Sequence, residues 1–163
     1  MTRALAITIS TRAAEGTRSD LSGIALVNGL RSMEFEVDGP VVVADGEPVE
    51  GALRAGLAQG YELIITTGGT GLSPTDATPE VTARLIERHA PGIPEALRAD
   101  GARRGIPTAL LSRGIAGTNG RTLIINLPGS PGAVSDALEV LRPILSHAID
   151  QLRGADHPSS PSP

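Results

Sequence analysis

Residues 61–71, Tyr61-Glu62-Leu63-Ile64-Ile65-Thr66-Thr67-Gly68-Gly69-Thr70-Gly71, decide the fold class of this chain. The first seven form a short apolar run bounded by punctuation, the pattern of a buried strand. The run empties directly into three glycines within four residues. Glycines in that position permit a backbone concavity whose N–H groups turn toward an anion, and Thr67, Thr70, Ser73 and Thr75 add hydroxyl donors. There is no lysine in the P-loop position and the spacing is not that of a dinucleotide fingerprint, so neither of those sites is supported. Taken alone, the glycines fit a tight turn as well as an anion cradle.

Working outward, helical and strand patterns alternate on both sides of this segment. Upstream, the turn Asp45-Gly46-Glu47-Pro48 leads into a helix whose Val49, Ala52, Leu53 and Leu57 repeat at three and four residues, with Gly60 where it would stop. Downstream, Thr78-Pro79 reads as an N-cap with proline at the first helical position. That helix is predicted to run through Val81, Leu85 and Ile86 to about His89, with Pro91 ending it. Farther upstream, Arg3 to Ser10 reads as a first strand and Thr11 to Asp20 as a polar loop. Asp20 or Ser22 caps the next helix, with Leu21, Ile24, Ala25, Val27 and Met33 as its apolar face. Glu36 to Ala44 reads as a second strand, and Pro40 makes it an edge or delays its start.

Toward the carboxyl terminus, Ile93 to Arg104 reads as a helix, and Thr108 to Gly117 and Thr122 to Leu127 as extended pieces. Asn119-Gly120 between them predicts a hairpin. The last helix carries Val134, Leu138, Leu141, Ile144, Leu145 and Ala148 on one side, with Pro143 bending or splitting it. The alternation predicts an α/β fold: a three-layer α/β/α sandwich with a mostly parallel sheet and an antiparallel edge element. Its ligand crevice is expected beyond the carboxyl ends of the strands. Residues 1–153 read as the domain and the Pro/Ser-rich residues 154–163 as a disordered tail.

Composition narrows the function. A chain of 163 residues is the size of one domain, and 40% hydrophobic content with 1% aromatic means a core of Ala, Val, Leu and Ile. Phe35 and Tyr61 are the only aromatics, which argues against a stacking platform for single-stranded nucleic acid. A formal net charge of -4 without a basic block argues against a broad nucleic-acid surface. The absence of cysteine excludes disulfides, cysteine nucleophiles and thiolate metal sites. No signal peptide and no run of membrane-spanning length is evident, so the expectation is a soluble cytoplasmic protein without a membrane partner. His89, His147 and His157 lack metal-ligand spacing, and no nucleophile elbow surrounds a serine.

The residues left to carry chemistry stand at strand ends. Asp76 follows the glycine segment and either caps the next helix or binds a cation, and Asp45 follows the second strand in the same way. Two carboxylates at the ends of neighbouring strands suit Mg²⁺, a hard ion that prefers oxygen and accepts phosphates as further ligands. Glu80 lies in the first turn of the following helix and favours its positive end. Ser10, Arg12, Asp20 and Ser22 surround the first loop, and Ser112 with Arg113 opens the later extended segment. Arginine can grip phosphate bidentately, which singles out Arg113, then Arg12, Arg18 and Arg121. Asn126, Gly129 and Ser130 end the last strand, where Pro128 and Pro131 stiffen the loop.

The run Thr66 to Glu80, TTGGTGLSPTDATPE, closely resembles the signature of the molybdenum-cofactor biosynthesis MogA/MoaB family, which includes molybdopterin adenylyltransferase and the G domain of gephyrin. Ile9-Ser10 followed by Asp20-Leu21-Ser22-Gly23, Leu111-Ser112-Arg113, and TLIINLPGSP at 122–131 extend the resemblance over about residues 3 to 152. It implies a homotrimer of three-layer subunits that binds molybdopterin and ATP. Active members use Mg²⁺ and transfer AMP to the terminal phosphate of molybdopterin, releasing pyrophosphate; the product later receives molybdate, which implies a molybdate-insertion protein as a further partner. By the same resemblance Asp45 and Asp76 are the catalytic, metal-holding acids. Gly68, Gly69, Thr70 and Gly71, with Thr67 before them, form the ligand loop, and Ser10, Ser112, Arg113, Gly129 and Ser130 line the pocket. A second implied reading is a non-catalytic molybdopterin-binding or delivery protein of the same fold. Thr11 stands where many relatives carry an acid, Ala44 where proline is common, and Arg121 where a basic residue near the hairpin is usual.

Overall fold

The computed structural model describes residues 1–155. Its centre is β3 (Leu63–Thr67), every residue of which is buried. β3 pairs in parallel with β1 (Arg3–Ile9) on one side and with β6 (Thr122–Leu127) on the other. β2 (Glu36–Val43) adds to β1 in parallel, while β5 (Ala116–Asn119) and β4 (Arg88–His89) add to β6 in antiparallel fashion. The strand order is β2-β1-β3-β6-β5-β4. Helices α1 (Thr11–Ala14), α2 (Leu21–Arg31), α3 (Glu47–Ala58), α4 (Thr78–Leu85), α5 (Gly92–Arg103) and α6 (Pro131–Leu152) follow in chain order, with a 3₁₀ turn at Pro107–Leu111. This is the three-layer α/β/α sandwich expected, with its antiparallel edge.

Side chains alternate across a strand, so each central strand feeds two cores. Ala4, Ala6, Leu63, Ile65, Leu123 and Ile125 pack against Leu26 and Leu30 of α2 and Leu138 and Leu141 of α6. Leu5, Ile7, Ile64 and Ile124 point the other way, against Val49 and Leu53 of α3 and Val81 and Leu85 of α4. Fully burying each such Leu or Ile contributes roughly 1.5–3 kcal/mol before entropy is counted.

Some local expectations hold, such as β2 at an edge and Asp20 as a cap, and others change. β2 is an edge strand, and its register against β1 shifts between Leu5 and Ile7, where Gly39 and Pro40 together oppose Ala6. A bulge on an edge is where a sheet tolerates a residue without an N–H. The predicted loop 11–20 begins with α1, capped by Ser10. Asp20 caps α2 by accepting from Gly23 N at 2.8 Å. On α2 the buried stripe is Leu26, Val27 and Leu30, whereas Leu21 and Ile24 are exposed. α4 ends at Leu85 rather than near His89, because Glu87 N and Ala90 N turn away to bond Thr118 O and Ala116 O. His89 therefore lies in a strand. Thr108 to Leu111 is 3₁₀ and not extended, its Ala109 N bonding back to Ile106 O. α6 runs unbroken past Pro143, which lies on its exposed side. Of the predicted tail and of His157, everything beyond residue 155 lies outside the described residues.

Candidate active site

The carboxyl ends of β1, β2, β3 and β6 meet at the glycine turn. Gly68 has φ +101 and Gly69 φ +67, a region that other residues rarely adopt. A side chain at Gly68 would run into the carbonyl oxygen of Ile9; a Cβ added at Gly69 would run into the Thr78 hydroxyl and stand 3.2 Å from Asp45 Oδ1. Gly129 lies over the same turn, where an added Cβ would stand 3.2 Å from Gly68 Cα. Thr67 Oγ1 donates to Pro128 O at 2.7 Å and Gly68 N to Leu127 O at 3.0 Å, so the loops after β3 and β6 are laced together.

A buried polar chain fixes the turn from below. Thr78 donates through N and Oγ1 to Gly69 O and Gly68 O, both at 3.1 Å. Thr82 Oγ1 donates to Thr78 O at 2.7 Å and accepts from Asn126 Nδ2 at 3.0 Å, and Asn126 also donates to Thr66 Oγ1 at 3.0 Å. Each buried polar group is thereby satisfied, which a rigid scaffold requires.

Asp45 and Asp76 are both half-buried. Thr11 Oγ1 donates to Asp45 Oδ2 at 2.8 Å and accepts from Asp45 N at 3.2 Å, so Thr11 orients this carboxylate. Asp76 Oδ2 accepts from Ser73 N at 3.2 Å, closing its own loop. Ser10 caps α1 through Ala13 N, and Ser130 caps α6 through Ala133 N, each at 3.2 Å. Ser112 Oγ accepts from Gly114 N at 3.3 Å.

Two depressions flank the turn. One, of about 640 Å³, is lined by Ser10, Arg12, Arg18, Asp45 and Gly68. The other, of about 350 Å³, is lined by Leu97, Ile106, Leu111, Ala133 and Ala137, with Thr70, Gly71 and Ser112 at its edge. Gly69, Asp76, Gly129 and Ser130 line both and form the ridge between them. Thr67 lies beneath the site and Arg113 behind the loop; neither lines a depression. Among the described residues no group of three or more His, Cys, Asp or Glu could hold a metal, and no helix is long and apolar enough to cross a membrane.

The family model described as "Probable molybdopterin binding domain" matches residues 5–147. The chain belongs to the MogA/MoaB family of molybdenum-cofactor biosynthesis proteins. Among MogA/MoaB relatives, the molybdenum cofactor biosynthesis bifunctional protein of Synechococcus elongatus is 42% identical over 156 residues, covering 94% of this chain and 48% of that protein. The chain thus spans about half the length of such bifunctional relatives. The molybdopterin adenylyltransferase of Helicobacter pylori J99 is 34% identical over 155 residues, covering 91% of this chain and 86% of that protein. The Mog protein from Mycobacterium ulcerans superposes with a TM-score of 0.88 at 45% identity, covering 93% of this chain and 99% of that one. A MogA structure gives 0.89 at 47%, covering 92% and 99%.

In this MogA/MoaB chain, one wall of the apolar depression was not foreseen from sequence. Asp100 on α5, 7% exposed, receives Arg104 Nε at 2.6 Å and Arg103 at 2.5 Å, and Arg104 reaches across to Glu139 at 2.6 Å and Asp136 at 3.2 Å on α6. The Arg104 and then the Arg103 guanidinium hold the Asp100 carboxyl below its ordinary range. The i, i+4 spacing of Asp100 and Arg104 was the available signal. The partners on α6 lie 32 and 35 residues from Arg104 and gave none.

Proposed function

We propose that this chain is a molybdopterin adenylyltransferase, joining AMP from ATP to the terminal phosphate of molybdopterin. The observation that carries the reading is the ridge: one rigid glycine turn shared by two depressions, with Asp45 and Asp76 facing the polar one. A reaction that joins two phosphorylated molecules needs two sites whose phosphate ends meet, and a shared ridge of Gly69, Asp76, Gly129 and Ser130 between two hollows is compatible with that need. Ser130 and the first turn of α6 add a helix amino end, which favours anions. Arg12 and Arg18 line the polar side, and among the described residues their side chains have no protein partner. Both are available to a triphosphate.

In the transfer, a phosphate oxygen of molybdopterin attacks the α-phosphorus of ATP, the bond to the bridging oxygen of the β-phosphate breaks, and pyrophosphate leaves. The nucleophile is already an anion, so no side chain has to take a proton. The chain's part is to align the phosphates and offset their charge. Asp45 and Asp76 fit Mg²⁺: both are oxygen donors lining one hollow, each with one carboxylate oxygen outside the hydrogen bonds described above. Two protein ligands leave positions for substrate phosphates and water, as Mg²⁺ prefers. When bound, the ion supplies charge neutralisation at the reacting phosphates. The same reading carries a cytoplasmic homotrimer that hands its product to a molybdate-insertion protein.

The test is incubation of the purified chain with molybdopterin, ATP and Mg²⁺, with mass detection of adenylylated pterin and pyrophosphate. Folded protein that binds pterin tightly and forms neither product would overturn transfer in favour of a binding or delivery role. Light scattering that finds only monomer over a broad concentration range would refute the trimer.

A further inference from the structure

Arginine at 113 invites a phosphate-gripping role, yet its donors are turned into the protein. Its backbone N donates to Thr70 O at 2.8 Å. Its side chain donates through Nε to Gly71 O at 2.8 Å, through one terminal nitrogen to Asp76 O at 2.9 Å, and through the other to Glu80 Oε1 on α4. The segment between Gly71 and Asp76 has an exposed run at Leu72 to Thr75. Its remaining bonds are internal: Asp76 N to Ser73 O at 2.9 Å, Ser73 N to Asp76 Oδ2 at 3.2 Å, and the hydroxyls of Ser73 and Thr75 at 3.3 Å. Among the described residues, every hydrogen bond that ties residues 71–76 to the rest of the chain comes from this one guanidinium.

We infer that Arg113 is a positioning residue, which pins both ends of the Gly71–Asp76 segment and so sets where the Asp76 carboxylate stands, with Glu80 as the anchor that orients the guanidinium. A planar fork can span three acceptors in fixed directions, whereas an ammonium is a single point. Charge-assisted bonds to carbonyls are stronger than neutral ones, so one side chain suffices to hold a loop that has little buried apolar surface. The consequence for transfer rests on the proposed adenylyltransferase reading; the clamp itself does not.

Two measurements separate these. Amide hydrogen exchange on the ligand-free chain is expected to speed up at Ser73 and Asp76 by at least about tenfold in both Arg113→Ala and Arg113→Lys, while β3 and β6 amides keep their protection. Glu80→Gln, which removes the anchor's charge and leaves the loop bonds in place, is expected to give a smaller rise at the same amides. Steady-state transfer by Arg113→Lys is expected to lose on the order of tenfold in kcat, with KM for ATP within about threefold of wild type. Unchanged exchange at Ser73 and Asp76 in both Arg113 variants would overturn the clamp, as would a KM rise with kcat kept, the mark of a phosphate ligand. Full rescue by lysine would also overturn it, since charge alone would then suffice. No transfer by the wild-type chain would count against the reaction and leave the exchange result to decide the clamp.

Discussion

On the first-loop side of the glycine ridge the walls are Ser10, Arg12, Arg18 and Asp45; on the α5 side they are Leu97, Ile106, Leu111, Ala133 and Ala137. The first hollow is wider and carries Arg12 and Arg18, unpaired among the described residues, beside Asp45 and Asp76, a lining that would suit a charged group. The second is about half the volume; its apolar Leu97, Ile106, Leu111, Ala133 and Ala137 stand beside Arg98, Asp100 and Asp136, a lining that would suit a flat molecule bearing a few polar groups. The contrast arises from topology. Loops after parallel strands bring hydroxyls, carboxylates and helix ends to the crevice, whereas the antiparallel edge with α5 and the 3₁₀ turn contributes helix faces.

The wall shared by the two hollows should show the largest effect. Asp45→Ala and Asp76→Ala are each expected to lower pyrophosphate release by on the order of a hundredfold or more while the circular dichroism spectrum is kept. Undiminished turnover in both would remove these acids from the mechanism. Next in size, Gly68→Ala meets a backbone carbonyl that cannot step aside and a φ of +101. Urea unfolding should show a loss of about 2 kcal/mol or more.

A crossed pair then sharpens the difference between the hollows. Ala133→Leu adds bulk to the apolar one and should weaken pterin binding by about tenfold, with ATP binding nearly unchanged. Arg12→Ala should do the reverse, weakening ATP binding severalfold in low salt and less as salt rises. Equal effects of either variant on both ligands would erase the proposed division of labour.

The smallest effect concerns pH and leaves the site aside. Arg84 holds Glu50 below the ordinary carboxylate range, Arg153 does so for Glu62, Arg113 for Glu80 and Arg104 for Asp100. A carboxylate depressed in the folded state contributes stability that is complete above its unfolded value and is lost as pH falls through the folded one. The melting temperature should therefore stay level from neutrality down to about pH 5 and decline only below it. Added salt should shrink the decline, because the Arg84–Glu50, Arg153–Glu62 and Arg113–Glu80 pairs face solvent.

The four parallel strands were legible because buried parallel strands are short apolar runs, and Leu63 to Thr67 ends where its glycines begin; the short antiparallel β4 was read as helix. The crevice position followed from that alternation. What composition could not convey was tertiary bonding. Helix α4 reads as continuing to His89 because Ile86 keeps the apolar period, but pairing of Glu87 and Ala90 with β5 takes those N–H groups. Leu21 and Ile24 read as a buried face because they are apolar, whereas the sheet selects the stripe of Leu26 and Leu30. Asp45 and Asp76 were visible as acids at strand ends. That Arg113 turns inward depends on Gly71 O and Asp76 O, acceptors that belong to every residue and leave no trace in side-chain chemistry.

Thr78 is at once the first residue of α4 and the double donor to Gly68 and Gly69. Helix and turn are therefore one mechanical part: the turn cannot widen unless α4 frays, and Thr82 with Asn126 ties that fraying to the centre of the sheet. Any adjustment to differently shaped ligands would thus fall to the exposed segment 72–75 and the α5 wall, while the glycine turn keeps fixed dimensions.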